Sequence, residues 1–215
     1  MTLVLHGYWR SGTTYRTRIA LNLKGVEYRT APVNLLEGAQ ASEAYLALNP
    51  QGLVPALEAD GVVLTQSPAI LEWLEETHPS PSLLPQGAAA RAVVRAMAAT
   101  VGCDIHPLNN LRVLKTLRRE FDADPGQVDE WAGRWIGEGF AALEQMIGRH
   151  GKGFSYGDAP TLADCYLVPQ VYSAQRFNVD LEPYPSIRAV CDKASGLPAF
   201  ADAHPDRQPD AQPAG

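Results

Sequence analysis

The chain has 215 residues, 46% of them hydrophobic, and a net charge of −6, a length that supports one large core or two small ones. Charge is spread evenly, with 5 Lys+Arg against 8 Asp+Glu up to Ser80 and 13 against 16 beyond it, so each part is −3 and neither has the basic excess of a nucleic-acid binder. No apolar run approaches the roughly 18 residues of a membrane span, and no basic-then-apolar leader precedes the first strand, which points to a cytoplasmic protein.

In chain order, Thr2 to Gly7 reads as a strand and Thr14 to Lys24 as a helix, with Tyr15, Ile19, Leu23 and Val26 on one face and Gly25 as the helix-ending residue. Tyr28 to Asn34 is a second strand. Ser42 to Leu48 is a short helix stopped by Asn49-Pro50. Val54 to Glu58 and Val62 to Thr65 flank Asp60-Gly61, a hairpin signal. Gln66-Ser67-Pro68 opens a helix to about Thr77, with Ser67 as N-cap and Pro68 at the first helical position. His78 to Pro85, rich in Pro and Ser, reads as a linker. Helices follow at Ala88 to Val101, Asn109 to Phe121, Val128 to Arg149 and Ala163 to Ser173. Thr161 and Asp164 form a capping box before the last of these. Pro205 to Gly215 is expected to be disordered. The domain expectation is thus 1–80 α/β, 81–87 linker, 88–204 all-helical and 205–215 tail, with the groove between the domains as the place for a ligand. Cys103, Cys165 and Cys191 have no Cys-x-x-Cys or zinc spacing, so free thiols and no metal are expected.

Three features carry chemistry. Ser11-Gly12-Thr13-Thr14 sets three hydroxyls before a helix. One of them suffices for a cap; the others can donate to an anion, and a thiolate there would have a lowered pKa. None of the four is cysteine, so the chain brings no nucleophile of its own. Val54-Pro55 starts a strand, where a backbone edge can pair with an extended ligand if the bond is cis. Gln66-Ser67 opens a helix, as a cap or as a carboxylate site.

The order Tyr8-Trp9-Arg10-Ser11-x-Thr13-x-x-Arg16-x-Arg18-Ile19-Ala20-Leu21, then Asn49-Pro50-x-x-x-Val54-Pro55-Ala56-Leu57, then Gln66-Ser67-x-Ala69-Ile70 resembles the zeta class of glutathione transferases. So do Asp104-Ile105-His106-Pro107-Leu108-Asn109-Asn110-Leu111-Arg112 and Pro160 to Asp164 with Arg176-Phe177. The likeness covers nearly the whole chain. It implies a thioredoxin-like N-terminal domain, an all-α C-terminal domain and a homodimer. It implies glutathione held at its sulfur by Ser11 and Thr13, at its cysteinyl backbone by Val54 beside a cis Pro55, and at its γ-glutamyl carboxylate by Gln66 and Ser67. Gln40, Asp104, His106 and Asn110 fall where relatives touch the tripeptide, Asp104 across a subunit boundary. Many zeta members have Ser-Ser-Cys-Ser where this chain has Ser11-Gly12-Thr13-Thr14. Ser11 or Thr13 must therefore stabilise the thiolate, and Tyr8 does not.

The Arg10-Ser11-Gly12-Thr13 turn is most similar to members that isomerise maleylpyruvate to fumarylpyruvate in aromatic ring breakdown, and next to those acting on maleylacetoacetate. In that reaction a thiolate adds to a cis double bond, the bond rotates, and the thiolate leaves. Cations then hold the two acidic groups of the small keto acid and the charge formed on addition. Arg10, Arg112 and Arg176 are the candidates. For each an ordinary role stands beside this one: Arg112 belongs to a basic face with Lys115, Arg118 and Arg119, and Arg176 is a helix-end cation. His106 is equally readable as a core histidine, and Arg16 and Arg18 as structural ion pairs. Rival activities are conjugation or halide removal from α-halo acids, and a non-enzymatic binding role on the same fold.

Overall fold

The computed structural model describes residues 3–212; Thr2, expected in the first strand, and Pro213 to Gly215 of the expected tail lie outside them. Its elements are β1 (Leu3–Gly7), α1 (Gly12–Leu23), β2 (Tyr28–Pro32), α2 (Glu43–Leu48), β3 (Ala56–Ala59), β4 (Val62–Thr65), α3 (Ser67–Thr77), α4 (Ala88–Ala99), α5 (Leu111–Glu120), α6 (Pro125–His150), α7 (Leu162–Arg176), α8 (Pro185–Ser195) and α9 (Pro198–Ala203). Two units divide them: residues up to Ser82 together with those from Ser195 onward, and Leu83–Ala194.

In the first unit a mixed sheet runs β2-β1-β3-β4. β1 lies parallel to β2 and antiparallel to β3, and Leu5 pairs with Thr30 on one side and Leu57 on the other. A strand flanked on both edges is buried, which is why Leu3–Leu5 is an uninterrupted apolar run. The Asp60-Gly61 hairpin forms as the sequence predicts, both residues at positive φ. Gly25, at φ +64, ends α1, and the Val26 N–H closes back on the Leu21 carbonyl at 3.0 Å. Ala, Ser or any other side chain would strain that turn.

α1 starts two residues before the predicted Thr14, because Ser11 takes the cap position and its Oγ accepts the Thr14 N–H. Its apolar stripe is only part of its burial. Every residue from Thr14 to Leu21 is buried, since α9 packs against it as well as α3. Arg18, 1% exposed, is accommodated by carbonyls: Nε donates to Ala203 at 2.9 Å and a terminal nitrogen to Trp9 at 2.9 Å. The other buried cation of this helix is Lys24. Its Nζ donates to Glu75 Oε2 at 2.6 Å and to the His78 and Pro81 carbonyls at 2.7 Å each, while Ser82 Oγ donates to the other oxygen of Glu75. The charge is thus paired and fully hydrogen-bonded, the condition under which an ion pair can be buried.

Two expectations are corrected in this unit. The stretch from Pro198 to His204, assigned by sequence to the helical domain, packs on α1 instead. The segment from Pro205, expected to be disordered, is ordered through Gln212. It makes a 3-10 turn at Pro205–Arg207, and Gln208 Nε2 donates to the Asp202 and His204 carbonyls at 2.9 Å. Buried Arg18 demands acceptors, and this segment supplies one of them.

The second unit holds α4 to α8 around Val94, Met97, Ile105, Ile136, Phe140, Leu143 and Leu167, all buried. The capping box is present: Asp164 accepts from the Thr161 N–H at 2.7 Å, the Thr161 hydroxyl at 2.9 Å and the Ser155 N–H at 2.8 Å. Burial pushes the Asp164 carboxyl above its ordinary range, and these donors pull it back. α4 runs on into a π-helical turn, Thr100–Ile105, and a 3-10 turn, His106–Asn109; the sequence showed neither. Gly139 of α6 makes room for Ile105, whose Cδ1 lies 2.2 Å from where a β-carbon would stand. Helix α8, also unpredicted, is seated by Glu144, whose carboxylate accepts the Ser186 and Ile187 N–H groups at 2.8 and 3.0 Å. Among the described residues no helix is long and apolar enough to cross a membrane.

Candidate active site

α1 and α3 lie side by side and point the same way. Near their starts Arg16 reaches Ser67, and at their far ends Lys24 reaches Glu75. Both N-termini therefore open at one end of the first unit, each with free N–H groups and a partial positive charge.

The start of α1 carries a chain of hydroxyls. Thr13 Oγ1 donates to the Val54 carbonyl at 2.8 Å and lies 2.9 Å from Ser11 Oγ. A threonine hydroxyl has one proton. Committed to Val54, it leaves Thr13 an acceptor, so Ser11 is the donor between them. The Ser11 proton can turn to another acceptor without breaking the Thr13–Val54 bond. The Val54-Pro55 peptide is cis, as the resemblance implies. The carbonyl before it, Leu53, accepts from Tyr45 Oη at 2.7 Å and Asn49 Nδ2 at 2.6 Å. Burial pushes the Tyr45 hydroxyl up to about 12, so it remains a donor and holds this loop against α2 at neutral pH.

The start of α3 differs from the sequence reading. Ser67 is not the cap; it is the first helical residue, 3% exposed, and its Oγ accepts from Arg16 at 3.3 Å. Gln66 holds the cap position at φ +66, and no side chain caps the helix. A non-glycine residue there carries backbone strain of about 1–3 kcal/mol, which marks a site more often than a simple turn. Its side chain donates to Gln51 Oε1. An uncapped helix start, with a guanidinium behind its first hydroxyl, is an anion site in the chemistry of its donors. Gln40, in the turn before α2, has a buried Oε1 without a hydrogen-bond partner. Arg10 stands over the Trp9 ring, its guanidinium carbon 5.2 Å from the centroid.

The remaining candidates belong to the second unit. Asp104 is exposed in the π-helical turn, and His106 is half-buried in the 3-10 turn. Asn110 caps α5, its Oδ1 accepting the Arg112 N–H at 3.1 Å. Arg112 is exposed in the first turn of α5, where a cation opposes the helix dipole. Lys115, Arg118 and Arg119 are exposed too, and Arg119 pairs with Glu120 at the surface. Arg176 is exposed at the end of α7, where the dipole favours it. The structure thus joins Ser11, Thr13 and Val54 directly, brings Ser67 beside them through Arg16, and gathers Asp104 to Arg112 in one stretch. Sequence reasoning missed Arg16 behind Ser67, and Tyr45 and Asn49 behind the Val54 loop. The i,i+4 spacing of Tyr45 and Asn49 was the available signal for the latter; Arg16 had none. The cysteines are free; none lies at either helix start, and burial pushes the Cys191 thiol up to about 12.

A four-stranded mixed sheet with a cis-proline loop beside the first helix start, followed by a helical unit, defines the class of thioredoxin-like proteins that act on small thiols. Two family models match: the glutathione S-transferase N-terminal domain over residues 10–77 and its C-terminal domain over 125–193. The chain belongs to the glutathione S-transferase family. It is 56% identical to a maleylpyruvate isomerase of Ralstonia sp., over 96% of this chain and 98% of that one. It is 54% identical to a maleylacetoacetate isomerase of Pseudomonas aeruginosa, over 96% and 97%. Among solved structures it matches the holo form of a bacterial zeta-class maleylpyruvate isomerase with a TM-score of 0.96, 55% identity, and coverage of 97% of this chain and 100% of that one. A maleylacetoacetate isomerase of Anaeromyxobacter dehalogenans with glutathione in its active site matches with a TM-score of 0.89 and 50% identity, over 98% of each chain.

Proposed function

We propose that this chain is a glutathione-dependent cis–trans isomerase that converts maleylpyruvate to fumarylpyruvate. One observation carries the reading: two helix starts open together, one with a hydroxyl proton free to turn and one with bare amides backed by a buried guanidinium. The first suits a thiolate and the second a carboxylate, and glutathione presents both. The donor set fits it. Ser11 and Thr13 would face the sulfur, Val54 the cysteinyl backbone, Gln66 and Ser67 the γ-glutamyl carboxylate, with Gln40, Asp104, His106 and Asn110 along the tripeptide. Glutathione bound there supplies a thiolate that adds to the cis double bond and leaves after the bond, single in between, has turned.

The chain's own residues have three tasks. Ser11 stabilises negative charge on sulfur by a hydrogen bond at the positive end of α1, which lowers the pKa of a thiol placed there. Arg10, Arg112 and Arg176 bind the two acidic groups of the keto acid, and the nearest of them stabilises charge developing on its carbonyl oxygen. Thr13 holds the Val54 loop in register with α1, so thiol and backbone contacts are set together.

Two accompanying readings rest on the same grounds. The exposed face of α4, Ala88, Ala89, Ala92, Ala96 and Ala99, continues to Cys103; small side chains there let a second copy approach closely, which supports a homodimer. Sedimentation should give twice the chain mass of 23.3 kDa. Three free thiols support a reducing, cytoplasmic setting.

The test is an ultraviolet isomerisation assay with maleylpyruvate and, separately, maleylacetoacetate, each with and without glutathione. Conversion only with glutathione, without its consumption, and faster on maleylpyruvate is the expected result. Faster turnover of maleylacetoacetate would transfer the substrate assignment. Turnover of α-halo acids alone would replace isomerisation by halide removal.

A further inference from the structure

The Tyr8–Ser11 turn carries Arg10 at its tip and is closed by the Ser11 N–H on the Tyr8 carbonyl at 3.0 Å. Its central residues, Trp9 and Arg10, lie outside the sheet ladder, so the Trp9 peptide groups need partners from elsewhere. They have them. The Trp9 N–H donates to Asp210 Oδ2 at 3.2 Å, and the Trp9 carbonyl accepts from Arg18 at 2.9 Å. Arg18 also holds Ala203 at 2.9 Å. Between these two grips the C-terminal segment is itself braced: His204 lies edge-on to Tyr15 with centroids 5.9 Å apart, and Gln208 ties back to Asp202 and His204. Trp9 is 6% exposed, and the Arg10 guanidinium rests on its ring.

We infer that the C-terminal segment is a clamp for Arg10: Asp210 and Arg18 fix the Trp9 peptide, Trp9 fixes the plane on which the Arg10 guanidinium lies, and Arg10 meets the dicarboxylic substrate. Asp210 is a positioning residue, 200 positions along the chain from the arginine it serves. A long cation on an unclamped turn samples many orientations, and a bidentate hold on a carboxylate needs one of them. The carboxylate of Asp210 also sits near a guanidinium without pairing with it, because its Oδ2 is engaged by a backbone N–H.

The inference rests on the isomerase reading, and the experiment separates the two. The affinity of malonate, a non-reacting dicarboxylate, is measured by calorimetry on the glutathione-loaded protein for the wild type, D210A, D210N, R10A and the D210A/R10A double variant. KM for maleylpyruvate, glutathione affinity and Tm are measured alongside. D210A is expected to weaken malonate about fivefold and raise KM by a similar factor, with glutathione affinity and Tm unchanged. D210N, whose amide oxygen still accepts the Trp9 N–H, restores most of that loss. In the R10A background, D210A has no further effect. Amide exchange at residues 8–11 is expected to speed up in D210A and stay slow in D210N. An additive effect in the double variant, an unchanged malonate affinity in D210A, or a fall in Tm and glutathione affinity together would overturn the clamp. A wild type that binds malonate as described but isomerises nothing would overturn the isomerase reading and leave the clamp standing.

Discussion

α1 and α3 begin at the same end of one unit and solve the problem of their open N–H groups in opposite ways. α1 is capped from within by Ser11, in a chain of hydroxyls that ends on Val54. α3 has no side-chain cap, a strained Gln66 at its threshold, and a hydroxyl already engaged by Arg16. A helix start that satisfies itself yet keeps one proton able to turn suits a partner that arrives, reacts and leaves. A helix start left bare suits a partner that binds and stays. The difference between a catalytic end and an anchoring end is thus written in hydrogen bonds, before any ligand is considered.

The comparison is open to attack at several points. The largest effect falls on what aligns the helices. K24M strands the Glu75 carboxylate in the core, and breaking a buried pair of this kind removes about 3–5 kcal/mol. A thermal melt should show Tm lower by roughly 10 °C; an unchanged Tm would mean the pin is idle. Next, S11A removes the movable proton. The isomerisation rate should fall on the order of 10²-fold, as for loss of one donor to developing charge, with glutathione affinity nearly kept. S67A acts on the anchoring end. Glutathione affinity should drop roughly tenfold, the scale of one hydrogen bond to a charged group, while the rate at saturating glutathione holds. If S67A instead lowered that rate and S11A the affinity, the two ends would have to exchange roles. R176A should raise KM for the diacid about fivefold, the most an exposed charge usually contributes, and leave glutathione binding alone. The smallest change is expected of T13V. Losing one neutral hydrogen bond to Val54, about 1 kcal/mol, should slow turnover less than fivefold. An effect as large as that of S11A would move the thiolate contact to Thr13.

What the sequence disclosed was local. The Asp60-Gly61 hairpin, the Gly25 helix end and the Thr161–Asp164 box each depend on residues within five positions of one another, so their chemistry is visible in a row of letters. Ser67 misled for the same reason. It has the composition of a cap, but Arg16, 51 positions earlier, takes its hydroxyl, and the cap passes to Gln66 at a backbone angle no letter announces. Asp210 lay in a stretch whose Pro, Asp and Gln content reads as unstructured. Its partner is a backbone N–H 201 positions away, and backbone groups leave no trace in composition. The hydroxyl-rich turn, the Val54-Pro55 pair and Gln66-Ser67 were legible as a set because relatives carry them in the same order. Which proton in that set can move required coordinates.

The π-helical turn between Ala99 and His106 has a consequence of its own. A π turn is an α-helix holding one residue more than its pitch accommodates. Each residue of an α-helix advances the side chains by about 100°. Deleting a single residue from Thr100–Ile105 would let the helix relax to regular winding and rotate everything after it by nearly a third of a circle. Asp104, His106, Asn110 and Arg112 all lie in or beyond that segment. Their bearing is therefore a matter of phase: the helix counts residues, and a change of one in the count matters more here than many changes of letter.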